Sequence, residues 1–147
     1  YQGYDVVTFW GLLEHTPNPK DLLAAAQRVF ADNSNAMVIA KLPRWHSLSG
    51  FIQNICNNTI VRHLDPMGHI SCYTDASAAE LYYQSGFSPV AAWYYGMDVY
   101  ELMMQISHHI SKYEPLLETG TIQMDLQQKL DEVKLSDGLT LVGIPSN

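Results

Sequence analysis

The fold is decided by one stretch near the start of the chain, Tyr4-Asp5-Val6-Val7-Thr8-Phe9-Trp10. Its apolar residues follow one another without polar alternation, which is typical of a parallel strand that is buried on both faces. Such a strand normally lies in the interior of a sheet, yet no strand precedes it here. We therefore expect its neighbours on one side to be missing from the chain, which leaves that side unpaired.

The residues that follow predict a strand–helix–strand unit. Gly11 ends the first strand, and Asn18 caps a helix over about 19–31 in which Pro19 occupies the first position. Residues 36–41 form a second short apolar strand. A helix of about a dozen residues is the length of a right-handed crossover between parallel strands, so the pattern predicts an α/β protein.

The second half of the chain continues this alternation. Residues 42–73 are punctuated by Pro, Gly, Ser and Asn, and a segment this long between regular elements often covers an active site. The remaining elements are predicted as a short helix over 51–55, a helix over 76–85, a strand over 87–95, amphipathic helices over 98–113 and 122–133, and a last strand over 139–144.

Composition narrows the classes of function. The 8 Lys and Arg against 15 Asp and Glu give a net charge of −7, which disfavours binding to a nucleic acid. No apolar run approaches the roughly 18 residues of a membrane helix, so no membrane association is expected. Cys56 and Cys72 form no CxxC motif, which indicates two reduced thiols and a cytoplasmic protein.

Several motifs, in this order, resemble class I S-adenosylmethionine-dependent methyltransferases, most closely the branch of the ubiquinone-biosynthesis O-methyltransferases. Tyr4-Asp5-Val6-Val7 is followed by Leu13-Glu14-His15-Thr16-Pro17-Asn18-Pro19. Further along come His63-Leu64-Asp65-Pro66-Met67-Gly68-His69, then Tyr73-Thr74 and Ser85-Gly86-Phe87. The terminal run 139–144 resembles the antiparallel last strand of that family.

This resemblance implies the second half of a Rossmann-like, seven-stranded sheet, with about four strands, the last one antiparallel, and flanking helices. The whole chain, 1–147, would be one part of a methyltransferase domain, with a helical insertion at 98–134. The family's glycine-rich loop and the acidic residue that holds the ribose have no counterpart here. The resemblance therefore implies that the parent protein methylates a small-molecule acceptor with S-adenosylmethionine, whereas this fragment alone is inactive.

The resemblance also implies where the ligands lie. In the first loop, His15 would act as the general base that takes the proton from the acceptor hydroxyl, because an imidazole titrates near working pH. The residues expected to bind the cofactor are Phe9, Trp10, Leu12, Leu13 and Glu14. The residues expected to bind the acceptor are Trp45, His46, His69 and Tyr73.

Two other functions stay open at this point. The unpaired side of the first strand could pair with another chain, so the protein could be a non-catalytic assembly module or a homodimer joined through an exposed sheet edge. Alternatively, His63, Asp65 and His69 could hold a metal ion, since two imidazoles and a carboxylate suit zinc or non-haem iron. For Glu14 and His15, the alternative to a ligand-side role is that they only tie their loop to neighbouring backbone.

Overall fold

The computed structural model describes residues 3–30, 33–55, 65, 67–109 and 120–146. In chain order the elements are β1 (Val6–Trp10), a 3-10 turn (Leu13–His15), α1 (Pro19–Phe30), β2 (Met37–Pro43), α2 (Leu48–Ile55), α3 (Asp75–Gln84), β3 (Phe87–Tyr95), α4 (Asp98–His109), α5 (Gly120–Glu132) and β4 (Gly138–Pro145). Each predicted helix and strand has a counterpart, and the 3-10 turn lies where a loop was predicted. Residues 110–113 of the predicted fourth helix lie outside the described residues.

The four strands form one mixed sheet in the order β1-β2-β4-β3. β1 pairs with β2 in parallel, whereas β4 is antiparallel to both β2 and β3. β1, β2 and β3 therefore run in the same direction, and their carboxyl ends lie at the same end of the sheet. This arrangement confirms the predicted half of a Rossmann-like sheet with an antiparallel last strand.

β1 lies at one edge of the sheet and is buried on one face only. Phe9 is buried among the core residues of α1 and β2. Val6 and Trp10 point to the opposite face, because successive side chains of a strand alternate, and they are 41% and 61% exposed. The expected burial on both faces is therefore wrong for the described chain, since nothing among those residues covers this second face.

α4 and α5 contact each other, and α5 also packs against β3. Three residues of the predicted apolar stripe of α5 are exposed, Ile122 at 61%, Leu126 at 47% and Val133 at 62%, whereas the fourth, Leu130, is half-buried. Its inner side is polar instead: Gln127 accepts a hydrogen bond from Val99 N at 3.0 Å and donates one to Asp98 at 3.3 Å. The amphipathic pattern thus exists, but polar bonds rather than apolar burial hold α5 in place.

No helix within the described ranges is long and apolar enough to cross a membrane.

Candidate active site

Three segments meet at the carboxyl ends of β1 and β2. The segment after residue 66 is tied to the first loop by two main-chain bonds, since Ile70 N and Ser71 N donate to Glu14 O at 2.9 and 3.1 Å. The same segment joins the end of β2, where Tyr73 N donates to Pro43 O at 2.9 Å and Trp45 N donates to Tyr73 O at 2.7 Å. Main-chain bonds therefore fix how these loops lie relative to one another.

Glu14 is the buried acid of this region. The residue is 4% exposed, and its Oε2 has no hydrogen-bond partner among the described residues. The other carboxylate oxygen, Oε1, lies 4.0 Å from Nε2 of His15. Because a buried carboxylate oxygen without a partner is costly, its retention at the end of a strand points to a role toward a ligand.

His15 lies beside Glu14, and one hydrogen bond to a main-chain carbonyl orients its ring. Its Nδ1 lies 2.5 Å from the carbonyl oxygen of Gly68. A carbonyl can only accept, so Nδ1 carries the proton, and in the neutral ring the Nε2 that faces Glu14 bears the lone pair. The ring of His69 lies 4.8 Å from the ring of His15, centroid to centroid. The fold thus brings together Glu14, His15 and His69, three residues that sequence reasoning had marked for separate roles.

A cavity of about 130 Å³ adjoins this group. Its walls include Glu14 and His69 together with Tyr95 and Asp137, at the ends of β3 and of the loop before β4. Sequence reasoning missed Tyr95 and Asp137. Tyr95 is the last residue of β3, which runs in the same direction as β1 and β2, and that position alone could have marked it, because ligands of open α/β sheets bind at this end of the strands.

A second, larger cavity of about 340 Å³ lies at the end of β2. The predicted acceptor residues Trp45 and His46 both line it, with Phe51, Asn54 and Leu135. Tyr73 is instead buried at 7% exposure, and its hydroxyl donates to Leu13 O at 3.4 Å. Burial raises the pKa of Tyr73, so its hydroxyl stays protonated and serves the packing of these loops.

The predicted cofactor residues separate into two groups. Phe9 and Leu13 are buried in the core, at 8% and 0% exposure. Trp10 and Leu12 are instead exposed, at 61% and 44%. Only the second pair presents a free apolar surface to a ligand, while the first supports the loop from beneath.

Arg44 holds the turn that presents Trp45 and His46, and sequence reasoning missed it. The side chain is 5% exposed and forms a two-pronged ion pair with Asp75. Its Nη1 donates to the carbonyl oxygens of His46 at 2.7 Å and Lys134 at 2.5 Å. An arginine directly after a buried strand was the available signal, because a guanidinium in that place must find several acceptors.

The set of metal ligands expected from the sequence, His63, Asp65 and His69, stays a prediction. His63 lies outside the described residues, and the Asp65 carboxylate accepts a local bond from Met67 N at 3.0 Å. One group of three potential ligands exists in the described part of the chain, namely Glu14, His15 and His69, with ligand atoms within 4.8 Å of one another.

A family model of the methyltransferase domain matches residues 2–92. The chain belongs to this methyltransferase-domain family. The branch of ubiquinone-biosynthesis O-methyltransferases is a finer assignment that this match does not test. A search of the curated proteins finds no significant match.

Solved structures share the fold of this methyltransferase-domain chain. A putative methyltransferase of Haloferax volcanii, solved in complex with the Trm112 methyltransferase activator, superposes with a TM-score of 0.56 at 12% identity over 99% of this chain and 55% of its own. The [4+2]-cyclase SpnF superposes with a TM-score of 0.55 at 10% identity over 99% of this chain and 53% of its own. The chain thus spans about half the length of these structures, and at such identities the likeness shows the fold alone.

Proposed function

We propose that the protein containing this chain transfers a methyl group from S-adenosylmethionine to a small-molecule acceptor. Membership of the methyltransferase-domain family supports the reaction class. The observation that carries the proposal is the meeting of Glu14, His15 and His69 at the carboxyl ends of β1 and β2, the edge at which open α/β sheets bind their ligands. Membership of the ubiquinone-biosynthesis branch and a cytoplasmic location stay predictions.

We place the cofactor along the open side of β1. Trp10 and Leu12 are exposed there and offer apolar contact to an adenine ring or a methionine chain. Phe9 and Leu13 hold the loop from the core side. The family's glycine-rich loop and ribose-binding acid have no counterpart in these 147 residues. We therefore propose that residues 1–147 alone bind S-adenosylmethionine only weakly and are inactive.

The acceptor is proposed to be a neutral molecule with an apolar, flat body and one hydroxyl group. Trp45 and Phe51 provide aromatic walls of the larger cavity, whose volume of about 340 Å³ falls within the usual range for a small ligand. His46 and Asn54 add polar contacts at its wall. The protein's net charge of −7 also disfavours an anionic acceptor.

The reaction is a single in-line displacement. The bond between the sulfonium sulfur and the methyl carbon breaks as the acceptor oxygen forms its bond to that carbon. The hydroxyl proton passes to Nε2 of His15, whose lone pair is set by the bond between Nδ1 and Gly68 O. Alignment of the two reactants provides most of the acceleration, because holding them in register removes much of the entropic barrier.

The test uses the full-length protein and two readouts. Calorimetry measures the affinity for S-adenosylmethionine, and product analysis measures S-adenosylhomocysteine formed with hydroxylated aromatic acceptors. His15→Gln is expected to lower kcat by about 100-fold with the cofactor affinity unchanged. His108→Gln, an exposed histidine on α4, is the matched control. Absence of cofactor binding by the full-length protein, or micromolar binding by residues 1–147 alone, would contradict the respective part of the proposal.

A second candidate function is assembly with another protein chain. No strand within the described ranges pairs with the outer side of β1, and Trp10 is 61% exposed beside it. The Haloferax volcanii relative was solved together with an activator protein, and a homodimer through the β1 edge is the simplest case here. Sedimentation of the purified protein separates a dimer from a monomer, and Trp10→Ser is expected to weaken a dimer formed at this edge.

The treatment of residues 98–134 as an insertion stays a prediction.

A further inference from the structure

We propose that Glu14, His15 and His69 form a binding site for a single divalent zinc-class ion. Their potential ligand atoms all lie within 4.8 Å of one another. Two of the residues come from the 3-10 turn after β1, and the third comes from the segment that docks on that turn. The site differs from the set expected from the sequence, because it shares only His69 with it.

The buried carboxylate of Glu14 is the first argument for a bound cation. The residue is 4% exposed, and Oε2 finds no hydrogen-bond donor within the described part of the chain. A buried carboxylate oxygen without a hydrogen-bond donor is costly, and coordination to a metal ion is one way to compensate it. Glu14 therefore has both the charge and the unused lone pairs that a metal ligand needs.

The orientation of His15 is the second argument. Its Nδ1 donates to Gly68 O at 2.5 Å, which is the outer bond that metal-binding imidazoles usually make. This bond turns the lone pair of Nε2 toward Oε1 of Glu14, 4.0 Å away. A neutral imidazole with its proton on Nδ1 can offer the lone pair of Nε2 to a cation placed between these two atoms.

The third argument is the fixed position of His69. The segment that carries it is bonded by its main chain to Glu14 O through Ile70 N and Ser71 N, so the imidazole is held next to the other two ligands. In a tetrahedral zinc site with bonds of about 2.1 Å, ligand atoms lie roughly 3.4 Å apart. The observed separations of up to 4.8 Å close by small rotations of His15 and His69, which are exposed and half-buried respectively.

The ligand set also selects the ion. Two imidazoles and one carboxylate suit Zn²⁺ and related transition metals, whereas Mg²⁺ and Ca²⁺ prefer oxygen ligands alone. Three protein ligands leave a fourth position open, as catalytic zinc sites do, and the adjoining cavity of about 130 Å³ is lined by Glu14 and His69. If the proposed methyl transfer holds, the acceptor hydroxyl would bind at that position, where the ion would lower the pKa of the hydroxyl and its proton would pass to water instead of to Nε2 of His15.

The test measures metal binding on the full-length protein after treatment with a chelator. Calorimetric titration with Zn²⁺ is expected to give one equivalent per chain, and Co²⁺ in its place is expected to give visible d–d absorption. Glu14→Gln, His15→Ala and His69→Ala should each weaken Zn²⁺ binding by about 100-fold or more, since each removes a direct ligand. Because the buried Glu14→Gln could fail to fold, the two histidine variants, checked by circular dichroism, decide the matter.

Two control variants separate this site from its rivals. His46→Ala removes a histidine outside the group, and Asp65→Asn removes the acid of the sequence-based set; both are expected to bind Zn²⁺ as the wild type does. Failure of the wild type to bind Zn²⁺, or loss of binding in Asp65→Asn but not in His15→Ala, overturns the proposal. Cofactor binding is measured separately, so loss of the metal site with S-adenosylmethionine affinity intact leaves the proposed methyl transfer standing.

Discussion

Arg44 donates two hydrogen bonds to the carboxylate of Asp75, from Nε to Oδ1 at 2.5 Å and from Nη2 to Oδ2 at 3.1 Å. The pair joins the end of β2 to the first turn of α3, where a carboxylate also favours the helix dipole. The same guanidinium lies over the ring of Tyr94, 4.9 Å from its centroid. The Arg44 side chain therefore connects the loop that carries Trp45 and His46 to both α3 and β3.

Removal of this arginine should destabilise the protein more than removal of its partner. Arg44→Ala leaves buried carbonyl groups without a donor and is expected to cost about 2–4 kcal/mol in the free energy of unfolding. Asp75→Asn should cost about 1 kcal/mol or less, because the Asp75 side chain is 44% exposed and solvent screens the pair. Urea unfolding measures both, and Lys129→Ala, in an exposed pair, should cause no measurable change. Equal losses for the two variants would contradict this account.

The same pair makes stability depend on acidity. The Arg44 guanidinium holds the pKa of Asp75 below its ordinary value of 3.8. Because the folded-state pKa is lowered, the pair contributes fully to the free energy of unfolding above the unfolded-state pKa. This contribution is lost as pH falls through the folded-state pKa. Unfolding midpoints recorded from pH 6 down to pH 2 should therefore fall less steeply for Asp75→Asn than for the wild type. Parallel curves would show that the pair adds nothing.

Substitution of Asp98, the first residue of α4, is expected to destabilise the protein. It is 0% exposed and accepts hydrogen bonds from Ser49 N and Asp137 N, both at 2.9 Å. Asp98→Ala leaves two buried N–H groups unpaired and should cost about 3 kcal/mol. The exposed Asp125→Ala is the matched control, and a small loss at both positions would show that the bonds to Asp98 contribute little.

Burial also raises the pKa of Asp98 despite these bonds. Protonation of Asp98 therefore stabilises the folded state at low pH, and this stabilisation is lost as pH rises through the folded-state pKa. The wild type should gain stability relative to Asp98→Asn as pH falls through this range. Chemical unfolding at several pH values measures the difference, and a difference that does not change with pH would contradict the shift.

Gly50 is required by the wall of the larger cavity. A Cβ at this position would clash with the carbonyl oxygen of Trp45, which is main chain and cannot move aside cheaply. Gly50→Ala should therefore cost about 2 kcal/mol or more and disturb acceptor binding. Gly120→Ala meets nothing within 4 Å at the first residue of α5 and should be neutral or slightly stabilising. Thermal unfolding compares the two variants, and a neutral Gly50→Ala would show that the turn relaxes freely.

Cys72 should react slowly at neutral pH. Burial raises the pKa of its thiol to about 11, with a further contribution from the Glu14 carboxylate. Since the thiolate is the reactive form, labelling by iodoacetamide at pH 8 in a Cys56→Ser background should be at least about tenfold slower than that of an unfolded thiol. The rate should increase up to about pH 11. A rate that levels off near pH 8.5 would indicate an ordinary thiol.

The fold could be predicted from local patterns because each element carries its own signal. Asn18 and Pro19 start α1, Gly86 separates α3 from β3, and the apolar run from Val6 marks β1. The resemblance to methyltransferases added what periodicity could not, namely the antiparallel direction of β4. The burial of β1 was predicted wrongly, because an apolar run indicates what a strand can bury and not what is present to cover it.

The candidate site was predicted only as a set of separate residues. Glu14, His15 and His69 were all marked, but their meeting depends on main-chain bonds between two loops, and these have no sequence signature. The sequence paired His69 with Asp65 because the two are close along the chain. The structure uses the Asp65 carboxylate for a local turn bond to Met67 N.

The segment that carries His69 is anchored by its own amide groups, and this shapes how the protein can change. Ile70 and Ser71 hold the segment through N–H groups that any amino acid except proline provides. Their side chains can consequently be exchanged without displacing the imidazole of His69. The polarity and size of the side chains at these two positions can therefore change while the geometry of the site stays the same. Proline at either position is the one replacement that would break this independence.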